Sequence, residues 1–313
     1  MKIPKLDFSA VRTVELEARH SKVKITDFAK PLKKGASLAE FFNGLPNILA
    51  GADLKEAANR IVLAKKGGRP IILAMGGHVI KVGLGPLIID LMERGLFDSL
   101  AANGSVMVHD SEAALIGATS EDVAATLGSG DFGVTGRTGE LINRAAKKAA
   151  EEDFGLGHAL GEALNKENPP FLQASVIAAA ARLKIPMTIH AAIGTDVYNI
   201  HPEADGASLG AATMNDFRLL CWVVSNLEGG VFINLGSAVI IPEVFLKALT
   251  LARNLGHKVD SLTTINMDFI RHYRPSVNVV SRPTQENGRG FYFIGHHEIM
   301  FPLLMSLVLE NLD

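Results

Sequence analysis

Three elements follow one another in the stretch Gly229–Asn254, GGVFINLGSAVIIPEVFLKALTLARN. The apolar run Val231–Leu235 predicts a strand that is buried on both faces. A turn follows at Gly236–Ala238, and Pro242 with Glu243 favours the start of a helix, because proline and an acid both suit the first helical turn. This order can direct backbone N–H groups at an anion, although the strict dinucleotide pattern G-x-G-x-x-G is absent.

The composition is that of an ordinary globular protein. The chain has 313 residues, a net charge of -2, 48% hydrophobic and 20% charged residues. This balance gives no reason to expect nucleic acid or an anionic membrane as a partner, and no apolar stretch is long and continuous enough to span a bilayer. Cys221 is the single cysteine, which excludes an intramolecular disulfide and fits a cytoplasmic location.

We expect an N-terminal arm over residues 1–48, followed by one α/β domain over residues 49–313. The arm includes a short capped helix at Ser37–Phe42. The arm packs on the body or on a neighbouring subunit, or its first part is a loosely ordered tail; the sequence leaves these alternatives open.

Apolar strands and amphipathic helices alternate through the second region. We predict strands at 70–75, 98–102, 185–190, 231–235, 261–265 and 290–294. We predict helices at 54–66, 85–94, 111–116, 138–152, 171–183, 215–227, 242–254 and 300–312. Strands that are apolar throughout and separated by helices predict a doubly wound parallel sheet with right-handed crossovers, a Rossmann-like α/β fold.

Small or polar residues follow each predicted strand. Any one such cluster is explained by turn chemistry alone, but together they favour a ligand crevice, because the carboxyl ends of parallel strands share one edge of the sheet. The glycine turns contain no lysine or arginine, so backbone amides and helix ends must hold any phosphate. The residues of these clusters are Gly76, Gly77, His78, Asn103, Gly104, Ser105, Gly194, Thr195, Asp196, Gly236, Ser237, Asn266, Gly295, His296 and His297.

Histidines are the sharpest candidates for chemistry. His109 with Asp110, and His296 with its neighbours, are placed near the predicted crevice and could supply a general base. We take His109, Asp110 and His296 as the candidate catalytic residues. No H-E-x-x-H spacing occurs, so a metal site is not predicted.

Several runs resemble the deoxyhypusine synthase family over roughly residues 40–310: Gly83–Leu100, Lys184–Met187, Asn234–Val239 and Phe301–Leu304. The run Asn103–Gly117 is similar to the NAD-dependent domain of archaeal ornithine cyclodeaminases. The resemblance implies an NAD-binding fold and a homotetramer built as a dimer of dimers with sites near subunit interfaces. We expect a small amine or amino acid as substrate. By position, it implies NAD contacts at His78, Asn103, Gly104, Gly194, Thr195, Asp196, Gly236, Ser237, Asn266, Met267, Gly295 and His296. We add Gly77 and Ser105, from the same strand-end clusters, as candidate cofactor-binding residues.

The sequence departs from that family where the polyamine chemistry takes place. The resemblance places the family's imine-forming lysine in Arg274–Pro283, which contains no lysine, and the last lysine of the chain is Lys258. Arginine cannot replace it, because the guanidinium stays protonated. The family's Lys-His-His run is Ile241–Glu243 here, and its ribose-binding acid is His296.

Three interpretations therefore remain. The first is a deoxyhypusine synthase-like, NAD-dependent enzyme that oxidises, deaminates or transfers the aminoalkyl group of a small amine or amino acid. The second is true deoxyhypusine or homospermidine synthesis from spermidine, against which the missing lysine argues. The third is an NAD-binding module without chemistry.

Overall fold

The computed structural model describes residues 3–312. These residues form two units, one that ends at Asp53 and one that begins at Leu54. The first unit contains a long exposed chain with a short 3-10 helix at Ile25–Asp27, followed by helix α1 at Leu38–Gly44.

Helix α1 begins with a capping box. The Ser37 N–H donates to Glu40 Oε2 at 2.8 Å, and the Glu40 N–H donates to Ser37 Oγ at 3.2 Å. Each side chain thus satisfies a backbone donor that the first turn of a helix leaves unpaired. The predicted capped helix is confirmed.

The remaining elements alternate between helix and strand. The strands are β1 (Ile71–Met75), β2 (Ser99–Asn103), β3 (Met187–His190), β4 (Val231–Leu235), β5 (Thr263–Asp268) and β6 (Arg289–Ile294). The helices after α1 are α2 (Leu49–Lys66), α3 (His78–Lys81), α4 (Gly85–Glu93), α5 (Gly104–Ile116), α6 (Val123–Thr126), α7 (Gly136–Glu151), α8 (Leu156–Glu167), α9 (Val176–Leu183), α10 (Gly206–Ser225), α11 (Ile240–Asn254), α12 (Tyr273–Pro275) and α13 (His297–Leu312). Within the described residues, no helix is long and apolar enough to cross a membrane.

The strands form one sheet in the order β3-β2-β1-β4-β5-β6, and every neighbouring pair is parallel. Strands β1 and β4 are neighbours, and from them the strand order runs outward in opposite directions. This arrangement is the doubly wound α/β sheet, and it confirms the predicted fold class. Its switch point lies between the carboxyl ends of β1 and β4, where ligands bind in open sheets of this kind.

The strands are as fully buried as the sequence predicts, except at one edge of the sheet. Strands β1, β4 and β5 are buried along their whole length, and the Phe232 and Phe245 rings stack between β4 and α11 with centroids 3.7 Å apart. Strand β6 instead alternates between buried and exposed residues. The prediction of strands buried on both faces is therefore wrong for β6, whereas the other edge strand, β3, is buried along its whole length.

Several elements differ from the predicted ones. Helix α5 begins at Gly104, directly after β2, so the chain enters the helix without a loop. Strand β5 runs on to Asp268, which places Asn266 inside the strand and not after it. Helix α8 was not predicted; a Cβ atom at its Gly157 would lie 2.1 Å from the carbonyl oxygen of Met187, so close packing requires glycine there.

Candidate functional site

The crevice floor is formed where the ends of β1 and β4 touch. The Gly76 N–H donates to the carbonyl oxygen of Leu235 at 3.0 Å, and a Cβ atom at Gly76 would lie 2.4 Å from the carbonyl oxygen of Gly236. Only glycine permits this approach of the two backbones. The main role of these strand-end glycines is therefore to let the ends of β1 and β4 approach each other at the switch point.

The next layer joins α3 to the start of α5. The Ser105 hydroxyl donates to Asn103 Oδ1 at 2.9 Å. A Cβ atom at Gly77 would lie 2.5 Å from Ser105 Oγ and 3.0 Å from Cδ2 of His109. Gly77, Ser105 and His109 thus pack together beside the ends of β1 and β2.

A cavity of about 220 Å³ opens beside these residues at the carboxyl edge of the sheet. It brings together the predicted residues Ser105, His109, Thr195 and Asp196. Two further acids line the cavity, Glu112 and Glu121, to which we assigned no role from the sequence. The charged or titratable side chains that line the cavity are Lys81, His109, Glu112, Glu121 and Asp196.

His109 is neutral at pH 7. Burial lowers the pKa of His109 to about 4, and the nearby charges of Lys81 and His78 act in the same direction. Its Nδ1 atom lies 2.8 Å from Thr119 Oγ1, and the Thr119 hydroxyl donates to Glu112 Oε2 at 2.6 Å. The ring is therefore a neutral group that can accept a proton or an N–H.

Asp196 also lines the cavity. Its Oδ2 accepts a hydrogen bond from the buried Tyr198 hydroxyl at 3.1 Å, and burial raises the pKa of Asp196. A Cβ atom at Gly104 would lie 2.1 Å from the same oxygen. Gly104 is thus needed so that Asp196 can reach the first turn of α5.

The β4–β6 half of the crevice contains a buried histidine that sequence reasoning passed over in favour of its neighbour. His297, the first residue of α13, is 1% exposed, and neither ring nitrogen has a hydrogen-bond partner among residues 3–312. Its Nε2 lies 3.8 Å from Asp268 Oδ1. Burial lowers the pKa of His297, although the Asp268 carboxylate opposes this effect.

The His297 ring also explains the glycine of the opening stretch. Gly236 has φ +69, and a Cβ atom there would lie 2.9 Å from Cε1 of His297. We expected this glycine to permit close approach of a ligand, but the close contact is with a side chain of the protein itself. Ser237 Oγ likewise accepts the Ile241 N–H at 3.2 Å, at the start of α11.

Four other predicted residues are placed away from the cavity. His296 projects outward with its side chain 71% exposed, 3.9 Å from Glu298. Asn266 is buried in the sheet, where its Oδ1 accepts a hydrogen bond from Asn234 Nδ2 at 2.6 Å. Gly295 donates its N–H to the Asp268 carbonyl at 3.0 Å, and Gly194, with φ +88, has open space around it.

Asp110 is a structural residue. Its carboxylate accepts hydrogen bonds from the Ser175 hydroxyl at 2.5 Å and from the N–H groups of Val176 and Ile177 at 2.8 and 3.2 Å. Burial raises the pKa of Asp110 to about 6, against these hydrogen bonds. The Asp110 carboxylate thus accepts hydrogen bonds from the first backbone N–H groups of α9. This position does not support our expectation that Asp110 takes part in catalysis.

The segment Arg274–Pro283 forms α12 and a π-helix at Ser276–Ser281. Glu243 Oε1 accepts a hydrogen bond from Asn278 Nδ2 at 2.9 Å and lies 3.2 Å from Arg274 Nε. Asn278 Oδ1 in turn accepts from Arg282 at 2.9 Å. The polar side chains of this segment are thus engaged with one another and with α11.

No protein-family model matches the sequence, and no curated protein matches it. The fold is similar to that of ArgZ, an arginine dihydrolase from the ornithine-ammonia cycle in cyanobacteria, with TM-score 0.52 and 15% identity over 83% of this chain and 31% of that one. It is similar to AgrE in ternary complex with ornithine and NAD+, with TM-score 0.52 and 14% identity over 83% of this chain and 33% of that one. A protein from Entamoeba histolytica proposed to be a deoxyhypusine synthase matches with TM-score 0.49 and 15% identity over 90% and 95% of the two chains.

The chain thus spans about a third of the length of ArgZ and AgrE. At these identities the similarity establishes the Rossmann-like α/β fold. Membership of the deoxyhypusine synthase family stays a prediction, and so does the cofactor.

Proposed function

We propose that this protein binds NAD in the crevice at the switch point and transfers hydride between NAD and a small amine or amino acid. One observation carries the proposal: a neutral histidine, His109, lines a cavity with the carboxylates of Glu112, Glu121 and Asp196 at the carboxyl edge of a doubly wound sheet. Its fold is shared with AgrE, which has been crystallised with ornithine and NAD+.

The residues at the switch point fit a dinucleotide. Helix α5 begins directly at the end of β2, but the Asp196 carboxyl group already approaches its first turn, so the diphosphate is better placed at the end of β1. His78 is exposed at the end of β1, and Asn266 Nδ2 is buried without a partner among residues 3–312. When bound, NAD supplies the hydride acceptor.

The cavity suits an amine. Three carboxylates in the lining favour an ammonium group, and the single Lys81 can pair with the carboxylate of an amino acid. Loss of hydride from an amine carbon needs a free lone pair on nitrogen, so the ammonium must first lose a proton. We assign that proton to His109, whose ring is neutral and within the cavity lining.

We expect His78→Glu to weaken NAD binding about tenfold or more, because a carboxylate at the crevice rim repels the diphosphate; tenfold corresponds to about 1.4 kcal/mol. His78 is exposed, so the fold should be unchanged. Isothermal titration with NAD measures the effect.

The matched control is His158→Glu. His158 is also exposed and changes charge in the same way, but it lies in a cleft with Pro186 and Met187 at the amino end of β3. The affinity of the His158→Glu variant for NAD should stay within about twofold of that of the parent protein, a difference well below 1 kcal/mol. Equal weakening by both variants, or no heat with the parent protein, would contradict NAD binding at the switch point.

A second candidate is aminoalkyl transfer through an imine on Lys81, because this lysine lines the cavity. Lys247, by contrast, pairs with Glu243 on the surface of α11. We expect no imine, since Lys81 is exposed and a lysine nucleophile needs a shielded environment to lose its proton. Borohydride reduction with NAD and labelled spermidine, followed by mass spectrometry, measures this.

If label from spermidine is found on Lys81 of the parent protein and is absent from Lys81→Arg, the reaction is aminoalkyl transfer from a polyamine. Hydride transfer with a small amine would then no longer be the proposed reaction. Absence of label, together with NAD binding, supports the first candidate. The non-catalytic alternative predicts NAD binding with no oxidation of any amine or amino acid.

A further inference from the structure

Three side chains form a hydrogen-bonded row, and two of them, His109 and Glu112, line the cavity. Glu112 lies one turn after His109 on α5, and Thr119 lies between the two side chains. The Thr119 Oγ1 atom is 2.6 Å from Glu112 Oε2 and 2.8 Å from His109 Nδ1, whereas the His109 and Glu112 side chains are 3.9 Å apart. The hydroxyl therefore connects two groups that do not bond directly.

The number of available protons fixes the direction of both hydrogen bonds. A threonine hydroxyl has one proton to donate, and an ionised carboxylate can only accept. The Thr119 hydroxyl donates its proton in the short hydrogen bond to Glu112, so Thr119 Oγ1 must accept a hydrogen bond from His109. Nδ1 of the neutral ring then carries the hydrogen, and Nε2 is left with its lone pair.

The free nitrogen is on the far side of the ring from Thr119. The Cδ2 atom, which neighbours Nε2, lies 3.0 Å from the position that a Cβ atom would take at Gly77 on the crevice floor. Nε2 has no hydrogen-bond partner among residues 3–312. The ring thus turns its unprotonated edge toward the crevice and its protonated edge toward Thr119.

We propose that Thr119 is a positioning residue that holds His109 in the Nδ1–H tautomer, so that Nε2 is the proton acceptor of the cavity. Its catalytic meaning rests on the proposed function, whereas the tautomer is a property of the free protein. When a substrate ammonium gives its proton to Nε2, the N–H bond of the ammonium breaks and the Nε2–H bond forms. The imidazolium keeps its bond to Thr119, and the Glu112 carboxylate stabilises its charge.

Thr119 is not needed to end the helix. The C-cap of α5 is Gly117, whose N–H bonds to the Ala113 carbonyl at 3.0 Å. After it, the chain turns back beside α5 through two left-handed positions, Gly117 with φ +70 and Ser120 with φ +69. A non-glycine residue in this region, such as Ser120, is uncommon, and this return brings Thr119 level with His109.

The test is the protonation pattern of His109 in the free protein, read from ¹⁵N histidine chemical shifts at neutral pH. We expect a proton on Nδ1 in the parent protein and in Thr119→Ser, which keeps the hydroxyl. We expect this preference to be lost in Thr119→Val, which keeps the shape without the hydroxyl. The control is Thr126→Val, at a threonine of the same surface region that donates only to the Asp122 carbonyl at 3.2 Å; it should leave His109 unchanged.

A proton on Nε2 in the parent protein overturns the proposal whether or not any variant folds. An unchanged Nδ1–H tautomer in folded Thr119→Val overturns it as well. The measurement uses neither NAD nor substrate, so failure of NAD binding leaves its result standing. If amine oxidation is found, Thr119→Val should lower kcat/KM by roughly 10-fold or more while Thr119→Ser retains it, as expected for a disturbed general base.

Discussion

Replacing Gly76 by alanine should lower the free energy of unfolding by about 3 kcal/mol, at the upper end of the range for overpacking a rigid site. The new methyl group would lie 2.4 Å from the carbonyl oxygen of Gly236 and 3.0 Å from its carbonyl carbon. Both are backbone atoms, and the Gly236 N–H is itself bonded to the Met267 carbonyl at 3.0 Å. Neither strand end can move without breaking the sheet. Urea denaturation of the purified chain measures the loss.

Gly210→Ala is the matched control, because the same methyl group is added where nothing lies within 4 Å. Gly210 is in the interior of α10, where alanine is preferred over glycine by roughly 1 kcal/mol, so this variant should be as stable as the parent or more so. Equal stability of Gly76→Ala and the parent protein would show that the β1 and β4 ends do not form the rigid floor described above.

Much of this floor could be predicted from the sequence. The run Val231–Leu235 is apolar throughout, and such a run between helices is typical of a central parallel strand. The strand ends at 76–78, 103–105 and 236–237 could also be predicted to share one edge, because parallel strands place their carboxyl ends together. These patterns depend on local sequence, and the sheet confirms them.

The side chains that meet across the crevice could not be predicted in the same way. His296 and His297 are neighbours in the sequence, and only the direction in which α13 starts decides that His297 is buried and His296 exposed. Asp110 follows His109, yet it faces α9 while His109 faces the cavity, because adjacent residues on a helix point about 100° apart. The hydrogen bonds that join His109, Thr119 and Glu112 depend on a reversal of the chain after α5, which no local sequence pattern predicts.

Replacing His109 by glutamine should lower kcat for oxidation of the amine substrate by roughly 10²- to 10⁴-fold, the usual contribution of a general base. Glutamine can still occupy the space and hydrogen bond with Thr119, but it cannot accept a proton at neutral pH. NADH formation with a panel of small amines and amino acids measures the loss. His257→Gln, at an exposed loop residue after α11, is the control and should keep full activity.

The pH dependence gives a second, independent check on the same residue. The base must be neutral to accept a proton, and burial lowers the pKa of His109 to about 4. Activity that depends on the neutral ring is present above this pKa and is lost as the pH falls through it. The acid limb of kcat/KM, which reports the free enzyme, should therefore lie near pH 4, well below the value of about 6.5 for an unperturbed histidine. A limb near 6.5 would identify an exposed histidine as the base and would remove His109 from that role, whereas a limb near 4 that disappears in His109→Gln would tie the proton to the ring that faces Gly77.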